Sequence, residues 1–444
     1  MDHLNCSFFV SSKPIHLDID GMRSFRVGAY MLGCFSNRYS VADSSSDDLS
    51  IALDSLTAAT TYSEAPNTVS VRAGMLTLTG SDMNTQSLYY ILDANGRHIA
   101  VFNDLFLARS LLAALGRPVE YKPDKYAADL SFYEAVTRLR AGQRIRVKKG
   151  SAALSIEECD HPNILDGRVQ YDRDLETSIS GMFEYLKSAV QRCLQHLDRV
   201  AIALSGGIDS ATIAFLTCDH GVKLNAYTVC TEWASEYAEA KKAADFLAIP
   251  LQEVHVSTDE VLAEIPNVIR YYYFLEPESI EIALVASCLY KNISIDPTAP
   301  RCFVTGYGSD LLNAGVYQPF NCYNALQVQI TALLRQTQFS NEFSNFGSLH
   351  RGISVVHPFW DSDVIRRALH VPAMFKVVNG QDKYFLRLMM LNHLPKQTVW
   401  RSKLAAHHGT GLSEHLSTAF GGDAEYRRTI ASIHKDIFYH SQFG

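Results

Sequence analysis

The chain has 444 residues, of which 47% are hydrophobic and 20% charged, and its net charge is -7. That length suits two domains with full cores, and an acidic balance with scattered Lys, Arg and His leaves no basic field for nucleic acid or an anionic membrane. No apolar run reaches the length of a membrane span.

The nine cysteines include no CxxC pair and no metal-type spacing, which predicts reduced thiols and a cytoplasmic protein. The opening MDHLNCSFFVSSKPIHLDID carries acids early and lacks a basic segment ahead of a long apolar one, so no signal peptide is expected.

Residues 1–170 read as short β-rich runs, at Phe25–Leu32, Thr68–Thr77, Leu88–Leu92, His98–Phe102 and Arg144–Val147. Turn residues such as Asp93-Ala-Asn-Gly96 and Lys149-Gly150 separate them, and Ser44–Asp48 reads as a polar loop. One helix is predicted over Leu105–Leu115, stopped at Gly116-Arg-Pro118. This half is expected to be a β-rich sandwich with a few helices.

Between Tyr171 and Arg199 the period becomes helical, with Leu175, Ile179, Met182, Leu186 and Val190 on one face. Then a βαβαβ pattern begins. Strands are predicted at Val200–Leu204, Leu224–Val229, Leu251–Val256 and Cys302–Thr305, with helices at Ile208–Cys218 and Ser235–Leu247. Apolar strands alternating with helices predict an α/β domain over 171–444, built on a parallel sheet covered on both faces.

The strand Val200–Leu204 runs into Ser205-Gly206-Gly207-Ile208-Asp209-Ser210 and then a helix. Two glycines let the backbone approach an anion, and successive N–H groups ahead of a helix form a nest for phosphate. Ser205 and Ser210 add hydroxyl donors. Asp209, being anionic, suits Mg²⁺ bridging to phosphates. Neither a Walker loop nor a dinucleotide fingerprint is present. A second strand leads into Gly306-Tyr307-Gly308-Ser309-Asp310. If the two strands are parallel neighbours, Asp209 and Asp310 face each other across a metal. Taken alone, Asp310 could equally cap the helix beginning at Leu311.

SGGIDS resembles the signature of the PP-loop ATP-pyrophosphatases. The stretch from Arg199 to Leu416 resembles asparagine synthetase and, within that superfamily, the β-lactam synthetases. Asparagine synthetases usually carry an acid where Tyr307 stands. The β-lactam branch pairs that Tyr with a Glu about 35 residues on, and here Glu342 stands in Ser340-Asn-Glu-Phe-Ser344. His357-Pro-Phe-Trp-Asp361, Asp382-Lys383-Tyr-Phe-Leu-Arg387, Leu394-Pro395 and Lys403-Leu-Ala-Ala-His-His-Gly-Thr-Gly411 also match. Asn95–Asn103 and Val136–Gly142 resemble the glutaminase domain of the same superfamily. That domain needs a Cys exposed after Met removal, whereas this sequence begins Met1-Asp2 and its first Cys is Cys6. The resemblance therefore implies an inactive, Ntn-type remnant of a class II glutamine amidotransferase over 1–170.

The resemblance implies ATP and Mg²⁺ as cofactors. It puts the phosphates in Ser205–Ser210, adenine near Leu204 and Val229, and Gly306 against the nucleotide. Asp209 and Asp310 hold the metal, and Lys383 offsets charge on departing pyrophosphate. Tyr307 and Glu342 relay a proton from an attacking amine, Lys403 stabilises the oxyanion, and the glycines of Gly409-Thr-Gly411 let that segment close over the site. The expected partner is a small amino acid bearing a carboxylate and an amine, with no nucleic acid and no membrane; a homo-oligomer is possible. In the clavam-type relatives an acid nine residues before the Glu meets a guanidinium. Leu333 stands there, with Arg335 and Gln336 nearby, which points to a non-guanidino substrate with an additional carboxylate. Competing readings are another amide ligase of the superfamily, such as a lasso-peptide cyclase, a non-catalytic nucleotide-binding scaffold, and a tRNA-modifying PP-loop enzyme, against which the charge weighs.

Overall fold

The computed structural model describes residues 7–15, 22–27, 29–34, 49–52, 67–82, 86–123, 131–160, 163–167, 169–344, 346–402 and 404–440. The predicted loop Ser44–Asp48, together with Cys6 and Lys403, lies outside them.

Among the described residues, eleven strands precede the first long helix: β1 (Phe8–Ser11), β2 (Arg23–Val27), β3 (Tyr30–Cys34), β4 (Leu49–Ala52), β5 (Thr68–Arg72), β6 (Met75–Thr79), β7 (Tyr89–Leu92), β8 (Ile99–Phe102), β9 (Thr137–Arg138), β10 (Gln143–Lys149) and β11 (Leu154–Asp160). They form a six-stranded sheet, β2-β3-β1-β8-β7-β9, and a five-stranded one, β11-β10-β6-β5-β4. Each described pairing is antiparallel. Phe8, Val10, Leu32 and Val101 from the first sheet meet Val69, Leu76, Leu78 and Val147 from the second in one core. The alternation of the strand sends Phe9 to the opposite face, into a core shared with later helices.

Two expected strands are hairpins. Phe25–Leu32 is divided between β2 and β3. Thr68–Thr77 is divided between β5 and β6 at Ala73-Gly74, whose φ angles of 48° and 75° are those of a two-residue hairpin turn. The predicted helix starts as a tight turn at Leu105–Leu107 and continues as Ala108–Ala114, with Gly116 in the left-handed region beyond.

The helix Leu175–Leu194 then leads into a parallel sheet. Its strands are β12 (Arg199–Ala203), β13 (Lys223–Thr231), β14 (Leu251–Val256), β15 (Cys302–Val304) and β16 (Ser354–Val356), in the order β14-β13-β12-β15-β16. Ala201, Tyr227 and Phe303 face one core, while Val200, Ile202 and Val304 face another, so both faces are covered. β16, three residues long, has no counterpart in the sequence reading. No helix of the described residues is long and apolar enough to cross a membrane. Cys159, Cys193, Cys218, Cys230, Cys288, Cys302 and Cys322 are free thiols.

Candidate functional site

β12 and β15 are hydrogen-bonded parallel neighbours. Their C-terminal ends therefore open onto the same rim, where ligands of open α/β sheets bind. Ser205–Ser210 follows β12 and Thr305–Asp310 follows β15. The loops touch through Gly306, where a Cβ would lie 2.5 Å from the Asp209 carbonyl carbon and the Ser210 nitrogen. Gly206 (φ 71°) packs as closely on the backbone of Glu239. Here the glycines are required by approach as well as by backbone angle.

The helix Ile208–Asp219 starts at Gly207 with no side-chain cap. Its first N–H groups are thus available to an anion, in keeping with the phosphate-nest expectation. The Ser205 and Ser210 hydroxyls lie 3.4 Å apart, and Ser205 Oγ accepts from the Gly207 N–H at 3.4 Å. Leu204 and Val229 sit on the same rim with buried side chains. The Leu204 N–H is used by the Tyr227 carbonyl.

Asp209 and Asp310 are brought together by Lys383. Its ammonium, only 3% exposed, bonds to Asp209 Oδ2 and lies 2.6 Å from Asp310 Oδ1. Lys383 has a left-handed φ of 53° and begins the helix Tyr384–Met390. Burial alone would lower its pKa, but the two carboxylates hold it above the ordinary lysine value. Asp209 is raised, first by burial, with Asp310 adding to the shift and Lys383 opposing it. Asp209 Oδ1 is buried with no hydrogen-bond partner. Two convergent carboxylates with one unused oxygen fit a hard divalent cation.

Beside this cluster the Tyr307 hydroxyl donates to Glu342 Oε2 at 3.2 Å. Burial first, and then the Glu342 charge, raise Tyr307 well above an ordinary phenol. Desolvation also raises Glu342, with the Tyr307 hydrogen bond pulling the other way. A phenol held neutral against a carboxylate of raised basicity is an arrangement able to take up a proton.

The His357–Asp361 motif supports this pair from below. His357 Nδ1 is 2.6 Å from Thr305 Oγ1, which accepts from the Tyr307 N–H at 3.3 Å. Burial depresses His357 to about 3, so its ring is neutral. Trp360 stacks on Phe343 at 4.0 Å between centroids, and Phe343 packs on Tyr307 at 4.9 Å. Asp361 caps the helix Ser362–His370 and pairs with Arg192 at 2.9 Å.

Two arginines without assigned roles organise the approach. Arg387 donates to the Asp382 and Arg401 carbonyls at 2.9 Å each, holding the turn that presents Lys383. Arg401 joins the Ser205 carbonyl and Glu236 Oε1, each at 2.5 Å, fastening the Ser205–Ser210 loop. Arg387 lies within a matched motif, but nothing local in the sequence marks Arg401 or Glu236.

The Gly409–Gly411 segment, expected to close over the site, is docked on its neighbours in this structure. Thr231 Oγ1 donates to the Thr410 carbonyl at 2.6 Å. A Cβ on Gly409 would be 2.3 Å from the Glu236 carboxyl, and one on Gly411 2.9 Å from Trp233 Cβ. These glycines permit close packing. Arg335, considered for a substrate carboxylate, is engaged by Asp166 at 2.7 Å. Lys403 is not among the described residues.

Comparison with known proteins matches residues 182–351 and 327–420 to the asparagine synthase family, together more than half of the chain. A carboxyethyl-arginine beta-lactam-synthase of Streptomyces clavuligerus is 30% identical over 234 residues, 52% of this chain and 44% of that protein. A glutamine-hydrolyzing asparagine synthetase of Gallus gallus is 26% identical over 252 residues, 53% of this chain and 44% of that protein. The matched stretch thus spans less than half the length of either relative. Among solved structures, an NMN synthetase from Francisella tularensis aligns with 61% of this chain and 95% of its own, at 13% identity and a TM-score of 0.32. With the family match covering the two loops, the Lys383 cluster and the Tyr307–Glu342 pair, the chain belongs to the asparagine synthase family.

Proposed function

We propose that this protein is an ATP- and Mg²⁺-dependent, AMP-forming C–N ligase that adenylates a substrate carboxylate and then closes an amine of the same molecule onto it as a β-lactam. The observation that carries the proposal is the 3.2 Å hydrogen bond from Tyr307 to Glu342, next to the adjoining Ser205–Ser210 and Thr305–Asp310 loops. The resemblance to a beta-lactam-synthase over this region supports the finer reading.

In this reading the Ser205–Ser210 backbone and hydroxyls bind the phosphates of ATP, with Gly306 close by and Leu204 and Val229 flanking the base. Asp209 and Asp310 would hold Mg²⁺, which supplies charge neutralisation along the phosphates. Lys383 keeps those carboxylates together and adds positive charge near the departing pyrophosphate. A substrate carboxylate oxygen bonds to the α-phosphorus and pyrophosphate leaves. The deprotonated amine nitrogen then bonds to the acyl carbon, the acyl C–O bond to AMP breaks and AMP leaves, and the nitrogen releases its second proton to solvent.

An ammonium has no free electron pair, so a proton must go first. Tyr307 passes it to Glu342, whose burial-raised pKa makes it a stronger base than an ordinary carboxylate. Ring strain makes positioning important, and a well-oriented intramolecular attack gains about 7–11 kcal/mol. Lys403 is assigned the oxyanion; losing one such donor typically costs about 2.7–4 kcal/mol.

Residues 1–170 are proposed as a degenerate glutaminase-like domain and 171–444 as the adenylating domain, a division supported by two antiparallel sheets before a parallel one. Free thiols suit a reducing compartment such as the cytoplasm. Leu333 favours a non-guanidino β-amino acid. The test is incubation with ATP, Mg²⁺ and a panel of β-amino acids, followed by mass spectrometry. Loss of one water from the acid, with AMP released in equal amount, is expected. Intermolecular amides alone would favour another ligase of the family, and no pyrophosphate exchange with any acid would favour a non-catalytic scaffold.

A further inference from the structure

We infer that the N-terminal antiparallel half acts in ring closure as a brace that positions Glu342, with Arg138 and Ser87 as its positioning residues. This inference rests on the reading of Tyr307 and Glu342 given above.

Glu342 follows the helix Tyr323–Gln338, at whose end backbone carbonyls lack helical partners. Groups from the first half meet this turn at successive residues. Gln338 Nε2 donates to the Asp82 carbonyl at 2.7 Å, and Gln338 also exchanges hydrogen bonds with Asn163. Arg138, on the edge strand β9, donates to the Phe339 carbonyl at 2.6 Å and the Ser340 carbonyl at 3.4 Å. Ser87 donates to Asn341 Oδ1 at 2.7 Å. Asn341 in turn donates to the Tyr272 carbonyl at 3.2 Å, tying the turn to a helix under the parallel sheet.

Arg138 is 4% exposed, Gln338 1% and Asn341 3%. A buried guanidinium on two carbonyls also sets positive charge at the negative end of a helix. Glu342 is the next residue along this turn. On its other side Phe343 is fixed by Trp360. The carboxylate is therefore carried on a turn clamped at both ends. The N-terminal half supplies one of the clamps. A displacement of about 1 Å in a reacting group can cost on the order of 100-fold in rate.

The experiment uses the full chain and the variants Arg138→Met, Arg138→Lys, Ser87→Ala and Glu342→Gln. Amide hydrogen exchange needs no substrate. Arg138→Met and Ser87→Ala should speed exchange in the 339–344 turn and leave the 205–219 segment protected. With the acid that ring-closes in the panel above, both variants should keep ATP–pyrophosphate exchange within about twofold. Ring closure should fall about 10- to 100-fold in kcat with little change in KM, by the positioning argument. The pH midpoint of closure should move, and Arg138→Lys should recover part of the rate. If Glu342→Gln blocks closure while Arg138→Met and Ser87→Ala close rings at the parental rate, the brace is refuted alone. If Glu342→Gln closes rings normally, the proton-relay reading fails and the brace falls with it. Parallel loss of exchange and closure in Ser87→Ala overturns the inference in favour of a general structural role.

Discussion

Replacing Lys383 by Met removes the ammonium that bonds both Asp209 and Asp310, while keeping most of the side-chain volume. Both carboxylates bond the same ammonium, so their inner oxygens are at most about 5 Å apart, and Coulomb's law at an effective dielectric of about 20 gives roughly 3 kcal/mol of uncovered repulsion. That dielectric already allows for Asp310, whose side chain is 36% exposed. For a domain of this size about 3 kcal/mol lowers Tm by about 6–12 °C. The sign with pH follows from linkage. A carboxyl whose folded pKa lies above its unfolded value destabilises the fold once ionised, so the deficit should shrink as pH falls and a proton takes the place of the ammonium. Millimolar Mg²⁺ should also raise the Tm of the variant more than that of the parent, since the exposed carboxylate pair becomes a cation site. Thermal unfolding by circular dichroism at neutral and mildly acidic pH, with and without Mg²⁺, measures all three effects. A variant that melts within a degree or so of the parent and ignores both pH and Mg²⁺ would refute the electrostatic account of this cluster.

Three further outcomes are expected. Tyr307→Phe keeps the ring packing on Phe343 and removes only the hydroxyl, so pyrophosphate exchange should persist while ring closure falls by about 10²–10⁴; full closure by this variant would remove the phenol from the mechanism. Because Glu342 must be ionised to accept a proton and its pKa is raised, the closure rate should drop on acidification at a pH above the usual carboxylate range; a pH–kcat profile that is flat there would contradict this. Gly306→Ala inserts a methyl 2.5 Å from the Asp209–Ser210 backbone, so the two loops must separate; a destabilisation of about 1–3 kcal/mol with loss of exchange activity is expected, measured by denaturant titration beside the exchange assay.

Much of this molecule is legible along the chain because its causes are local. The apolar run at Val200–Leu204, the glycines at 206 and 207 and the helix after them act over a few residues, and the strand and helix form within a residue or two of expectation. Leu251–Val256 is a strand over its whole predicted length. Spacing also linked Tyr307 to Glu342, through resemblance to a family, and their hydrogen bond is present. Boundaries failed where a turn needs no Pro and little Gly. The β2–β3 hairpin was read as one strand, and β16 is too short to show a period.

What the tertiary structure alone decided is which distant groups meet. Lys383 reaches Asp209 across 174 residues, Arg401 reaches Ser205 across 196, and Arg138 reaches Phe339 across 201. At Gly409–Gly411 the tertiary structure adds what the spelling does not show, that Glu236 and Trp233 stand against the two glycines. A sequence states the conformational freedom of each residue. Whether that freedom is used for motion or for close packing is set by what the fold brings alongside.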